Sequence, residues 1–342
     1  MRLWIDLANS PHVPFFRALV DRLTGAGHHV EITARDFAET VPLARAAGFN
    51  ADVIGKHGGG EVSGKAGNLV GRAWELAKWA RERRARGRRF DLAVSHNSYS
   101  QILAARSLRI KTITMMDYEH QPANHLAFRF ASRIVVPASF PASDLRRFGA
   151  PVGKVRRYQG TKEDVYLADF QPDPAFGARL CELGVNPDNV LVLVRPPATE
   201  ALYHRFQNTL FDDALERLLA NENVRVVLLP RNESQRAAYS GRERLIVPAS
   251  PLPGADLIAA SDLVISAGGT INREAAALGV PAASIYAGKW AAVDEGLVKE
   301  GRLQRISANT DLDRLVVEKK QSVVPRKSGK VIQEVLEFIL ES

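Results

Sequence analysis

Side chains able to do acid–base chemistry crowd one stretch of this 342-residue sequence: MMDYEHQPANHLAF (115–128) holds Asp117, Glu119, His120 and His125. Carboxylates beside imidazoles suit general acid–base work, because each shifts the proton affinity of the other. A metal site is not expected, since His120 and His125 miss the i, i+4 spacing of a helical ligand pair and Pro122 lies between them. DLANSPHVPFFRAL (6–19) offers His12 as a base or as a donor to phosphate or sugar, with Asn9 and Ser10 as substrate contacts or helix caps. SHNSYSQ (95–101) sets His96, Asn97 and Ser98 where a strand runs into a helix. They could face a substrate, and Ser98 could equally cap that helix.

Two further stretches suit an anion. In SAGGTINREAAALGVP (266–281), Gly268 and Gly269 carry no Cβ, so backbone N–H groups can close on a phosphate. Ser266 and Thr270 flank that turn, and the helix it opens points its positive end at the same place. Glu274, about one turn in, could accept hydrogen bonds from ribose hydroxyls. The plainer reading is a tight turn that needs small residues. In LVRPPATEALYHRFQN (193–208), Arg195 has the planar fork that suits a diphosphate, and Glu200, Tyr203, His204 and Arg205 would form a wall beside it.

The elements that must position these residues alternate. LWIDL, HVEITA, ADVIG, DLAVS, KTITMM and RIVVPA are short apolar runs separated by helical stretches. VLVLVRP, VRVVLLP, RLIVPA, DLVISAG and PAASIYA repeat the plan after a Pro-, Asp- and Gly-rich interval. Such runs predict an α/β protein with two parallel sheets, each covered on both faces. The interval suggests a linker near 160–187, and two such halves predict a cleft between them. Pro14 is expected to open the first helix. SGKVIQEVLEFILES predicts a terminal amphipathic helix over 328–340.

Composition narrows the class. Apolar residues make up 46% and charged residues 25%, a globular balance. Apolar runs fall well short of the roughly 18 residues of a membrane span, and Asp6 and Pro11 interrupt any signal-peptide core. One cysteine, Cys181, excludes an intrachain disulfide. A cytoplasmic protein is expected, peripheral at the inner membrane face if it meets lipid. The net charge of +8 is concentrated in RAWELAKWARERRARGRR (72–89), with eight basic residues against two acids. That stretch, with Trp74 and Trp79, suits an anionic membrane surface or a solvated helix face. Nucleic acid is not expected, because no aromatic stacking platform accompanies the arginines.

With these segments placed, the chain resembles the GT-B superfamily of glycosyltransferases and UDP-N-acetylglucosamine 2-epimerases. More closely it resembles the family catalogued as domain of unknown function 354. DLANSPHVPFF, DLAVSHNSYSQ, the DYEH stretch with HLAFRFASRIVVP, and SAGGTINREAAALGVP carry the resemblance in that order along nearly the whole chain. It implies two Rossmann-like domains facing across a cleft: an acceptor-side domain over 1–165 and a nucleotide-sugar-binding domain over 166–325. A helix over 326–342 would pack back on the first. It also implies that Gly268 and Gly269 hold a donor diphosphate and Glu274 a ribose. His12 takes the place of a first-loop histidine in the transferase that adds GlcNAc to lipid-linked peptidoglycan precursors.

The chain departs from the epimerases. Glu119 matches their catalytic glutamate, but HNS stands where they carry an aspartate, and Arg195 where they carry a histidine. The first loop also lacks the glycine-rich turn of many transferases. The leading expectation is a metal-independent glycosyltransferase using a nucleotide sugar, UDP-linked, with His12, Asp117 or Glu119 as base. The acceptor would be lipid-linked or a polysaccharide. His96, Asn97, Ser98 and His120 would contact substrate. An epimerase and a non-catalytic nucleotide-sugar or polyanion binder are the alternatives. No separate cofactor is expected, and a homodimer is a candidate assembly.

Overall fold

A computed structural model describes residues 1–56, 62–197, 210–321, 324–326 and 329–341. The chain divides into two compact units, Met1–Ala168 joined by the C-terminal segment, and Asp169–Lys327.

In the first unit the strands are β1 (Arg2–Leu7), β2 (His29–Asp36), β3 (Ala51–Lys56), β4 (Leu92–His96), β5 (Lys111–Met115), β6 (Arg133–Pro137) and β7 (Val155–Tyr158). They form one sheet in the order β3-β2-β1-β4-β5-β6-β7, and every pairing is parallel. The second unit holds β8 (Val190–Arg195), β9 (Val224–Leu228), β10 (Leu245–Ile246), β11 (Leu263–Ser266), β12 (Ala282–Ser284) and β13 (Gln304–Arg305). Their order is β10-β9-β8-β11-β12-β13, again parallel throughout. Each sheet runs outward in one direction from its first strand, then resumes on the other side. Chain direction therefore diverges between β1 and β4, and between β8 and β11. Loops at the carboxyl ends of those strands part there and leave room for a ligand.

Central strands are buried on both faces, which is why they read as continuous Val, Ile and Leu runs. On one face of the first sheet, Trp4 lies against Trp79, with ring centroids 5.4 Å apart, and Phe90 stacks on Trp79 at 5.3 Å. Trp79 belongs to helix Val62–Ala85, so it faces the core rather than solvent. This corrects its expected place on a lipid-facing surface. Arg72 is corrected likewise: it is buried and forms a two-pronged pair with Asp6, both contacts at 2.8 Å. Arg83 turns back to Glu31 and Asp52 at 2.9 and 2.7 Å. Trp74 does remain exposed.

Helix His12–Gly25 opens two residues before Pro14. Proline is tolerated inside this first turn because N–H groups there have no intrahelical acceptor. The segment around 160–168 is not linker. Helix Lys162–Tyr166 follows β7 directly and is capped by Thr161 and Asp164 reciprocally. It packs in the first core through Val165. Gly160, at φ +150°, makes this close approach feasible: a Cβ there would meet Asp164 at 2.8 Å and Val331 at 2.9 Å.

Val331 begins the apolar stripe of helix Gly329–Leu340. Val331, Ile332, Val335, Leu336 and Ile339 are all buried in the first unit's core with Phe16, Leu19 and Leu23. Arg133 seals the helix end by donating to the carbonyls of Phe338 and Glu341, both at 2.7 Å. Each apolar side chain contributes about 1.5–3 kcal/mol by leaving water. Ile339→Ala is expected to destabilise the first unit by about 2–5 kcal/mol. Urea unfolding in a Trp290→Phe background, where the remaining tryptophans all lie in the first unit, should show the midpoint fall. An unchanged midpoint would mean that the helix adds nothing to that core.

Candidate active site

In the first unit, His12 stands in the first turn of its helix and His96 is the last residue of β4, on either side of the β1/β4 divergence. Both are buried, and their rings lie 5.0 Å apart. Asp117, just beyond β5, places one carboxylate oxygen 3.7 Å from His96 Nε2. Its other oxygen accepts from Lys162 Nζ at 2.6 Å. The same ammonium lies 3.5 Å from Glu163, which is fully buried. Glu119 is buried with its carboxylate 3.6 Å from His120 Nε2.

Four elements, helix His12–Gly25, β4, the loop after β5 and helix Lys162–Tyr166, thus bring His12, His96, Asp117 and Lys162 together. Burial pulls the His12 pKa well below the usual imidazole value, and His96 and Lys162 lower it further against the opposing pull of Asp117. His12 is therefore neutral near pH 7. Its Nδ1 is buried without a hydrogen-bond partner among the described residues.

The other expected residues are placed variously. Asn9 is exposed and accepts from the Ser10 amide at 2.9 Å, while Ser10 lies 3.5 Å from the Thr40 hydroxyl. Asn97 adopts φ +62°, with its Oδ1 buried and unpartnered among the described residues. Ser98 caps helix Tyr99–Ser107 by accepting from Gln101 N and donates its hydroxyl to Asp6. That commits it to the framework. His125 is exposed and packs on Phe148 at 4.8 Å, beside Arg129, and so stands outside the acid–base group.

Lys162 and Glu163 escaped sequence reasoning because TKED follows the last strand of the unit and reads as a polar linker. Asp6 also escaped, although a carboxylate inside the apolar run LWIDL signals a buried partner.

The second unit holds the glycine turn expected to meet an anion. Helix Gly269–Leu278 starts at Gly268 with no side chain capping it. Ser266 Oγ accepts from Gly268 N at 3.1 Å and donates to Gly268 O at 2.9 Å, fixing the turn. A Cβ on Gly268 would meet Arg231 Nη2 at 3.0 Å, and one on Gly269 would meet Arg273 Nη2 at 3.1 Å. The bare Cα of each glycine lets a guanidinium group lie close against the backbone. Arg273 is held by Asp294 through contacts of 2.7 and 3.0 Å. Arg231 donates to the Pro196 carbonyl at 2.8 Å.

Arg195, the last residue of β8, has its Nε buried without a hydrogen-bond partner among the described residues. Burial lowers its pKa, and Glu274 opposes that shift, so the two charges sense one another. Thr270 is partly exposed in the helix's first turn. Arg231 was missed because it sits in LLPRNES with no glycine nearby. Glu200, Tyr203, His204 and Arg205 lie outside the described residues.

Known proteins share this architecture. The UDP-GlcNAc 2-epimerase of Methanocaldococcus jannaschii matches with TM-score 0.71 at 15% identity, over 99% of this chain and 100% of that one. That of Neisseria meningitidis, bound to UDP-GlcNAc, matches with TM-score 0.72 at 13% identity, over 98% and 99%. A spinosyn rhamnosyltransferase matches with TM-score 0.58 at 16% identity, over 98% and 91%. The fold class is GT-B, built from two Rossmann-like parallel-sheet domains. Within it, the chain belongs to the family described as Protein of unknown function (DUF354), whose model matches residues 1–341. An uncharacterised protein of Methanocaldococcus jannaschii is 29% identical over 308 residues, 88% of this chain and 86% of its own length.

The lowered His12 pKa links stability to pH. An unfolded histidine takes up a proton near pH 6.5, whereas the folded one resists it. The stability contribution is therefore constant above about pH 6.5 and declines as pH falls below it. Melting temperature should drop more steeply for the wild type than for His12→Phe between about pH 7 and pH 5.5. Parallel profiles would show that His12 titrates normally.

Proposed function

We propose that this protein is a glycosyltransferase that moves a sugar from a nucleotide donor, UDP-linked, to an acceptor hydroxyl. The observation that carries the reading is the uncapped Gly268–Gly269 turn, with Arg231 against it and Arg195 ending the neighbouring strand. Backbone N–H groups, a helix N-terminus and two guanidinium groups suit a diphosphate leaving group. Glu274 suits the ribose hydroxyls. The acceptor O–H proton passes to His12, a bond forms from that oxygen to the sugar's anomeric carbon, and the bond from that carbon to the phosphate oxygen breaks. The departing diphosphate keeps the electron pair, and the arginines stabilise its charge. Lys162 holds Asp117 beside His96, which keeps the base in a fixed electrostatic setting.

Within this reading the acceptor is lipid-linked, and the exposed face of one helix supports that choice. Among the described residues no helix is long and apolar enough to cross a membrane. Trp74 and Val70, each 63% exposed and one helical turn apart, stand with exposed Lys78 and Arg81 on helix Val62–Ala85. Aromatic and cationic groups together suit an anionic lipid interface.

The buried Asp117, Glu119 and histidine group favours a second reading, a sugar-nucleotide 2-epimerase, because proton removal and return at a sugar carbon also needs paired acid and base. Incubation with UDP-GlcNAc and no acceptor separates the two. The transferase leaves UDP-GlcNAc unchanged or releases UDP slowly, and with an acceptor present His12→Ala lowers UDP release by about 10²-fold or more. A new epimeric UDP-sugar would contradict the transferase.

A further inference from the structure

We propose that Arg35 forms a second anion subsite at the carboxyl edge of the first sheet, one that takes a phosphoryl group. That the phosphoryl group belongs to the acceptor rests on the transferase reading; the subsite itself does not.

Arg35 is the next-to-last residue of β2, and the pairing of β2 with β3 slips register between Ala34 and Asp36. Two steps along β2 match three along β3, so the extra residue lies on β3 and Arg35 stands opposite the irregularity, a feature common beside binding sites. The chain then turns through Ala38 at φ +47°, a conformation rare for a residue with a Cβ. Both features cost backbone regularity where the loop follows the strand.

The Arg35 guanidinium lies in an unfavourable field. Asp6 is the neighbouring carboxylate, yet its oxygens already accept from both prongs of Arg72, from Thr33 at 2.6 Å and from Ser98. One carboxylate thus faces two guanidinium groups, a surplus of one positive charge. Arg35 Nε is buried with no hydrogen-bond partner among the described residues, and the guanidinium carbon rests 5.4 Å from the centre of the Phe37 ring. Burial, followed by repulsion from Arg72, lowers the Arg35 pKa while Asp6 raises it. An uncompensated, partly dried guanidinium is costly unless an anion completes it, and phosphoryl oxygens match its fork. Ser98, which shares Asp6 with Arg72, lies two residues from His96, so this edge is continuous with the acid–base group.

The test is calorimetric titration of the full chain with inorganic pyrophosphate at low ionic strength, using wild type, Arg35→Gln, Arg231→Gln and the double variant. Two sites are expected in the wild type. Arg35→Gln should weaken one by about tenfold or more and leave the other intact, and Arg231→Gln should do the reverse. Without anion, Arg35→Gln should melt at or above the wild-type temperature, because a like-charge contact is relieved. Unchanged titration in Arg35→Gln, or a lower melting temperature without anion, overturns the subsite and makes Arg35 a structural residue. Succinate should bind about tenfold more weakly than pyrophosphate at this site, and equal binding overturns the phosphoryl assignment. If Arg231→Gln alone has no effect, the donor turn fails while the subsite stands.

Discussion

A buried ammonium against a buried carboxylate, Lys162 on Asp117 at 2.6 Å, organises the first unit's site. It joins the loop after β5 to the helix after β7, elements separated by a strand and more than forty residues of chain. Neither charge would be tolerated alone at this depth, because desolvation costs several kcal/mol per ion and truncating one partner strands the other. Paired, they hold the Asp117 carboxylate beside His96. The positive charge of Lys162 in turn helps keep His12 neutral.

The same device recurs wherever a sheet's loops diverge. Asp6 on β1 is clamped by Arg72, and Asp294 clamps Arg273 beside the Gly268–Gly269 turn. Buried ion pairs contribute little net stability, but they fix geometry, since any displacement exposes an uncompensated charge. The two units use one strand plan for different electrostatics. The first surrounds its divergence with imidazoles, a carboxylate and an ammonium. The second surrounds its own with guanidinium groups and free backbone donors.

How much of this was legible in the sequence follows from what each signal depends on. Strand runs such as VLVLV and RIVVP are apolar because both sheet faces are covered, so periodicity and composition found them. The stretch TKEDVY was misread because its charges are buried by pairing, which composition cannot distinguish from solvation. Arg72 was hidden the same way inside an arginine-rich run, and only its partner on β1 sets it apart. His12, His96 and Asp117 stand out in the sequence as polar residues close after apolar strands, and the structure brings them near one another. Arg231 follows a strand too, but through a proline and with no accompanying glycine or histidine, so nothing local marked it. His125 was grouped with Glu119 by proximity along the chain, whereas its helix turns it toward Phe148.

Diphosphate recognition by the second unit is the step on which the proposed reaction depends. Calorimetric titration with UDP and with UMP tests it most directly. UDP should bind the wild type about tenfold or more tightly than UMP, and Arg195→Gln should remove most of that advantage while leaving UMP little changed. Equal affinity for the two nucleotides, or a UDP affinity indifferent to Arg195→Gln, would contradict it.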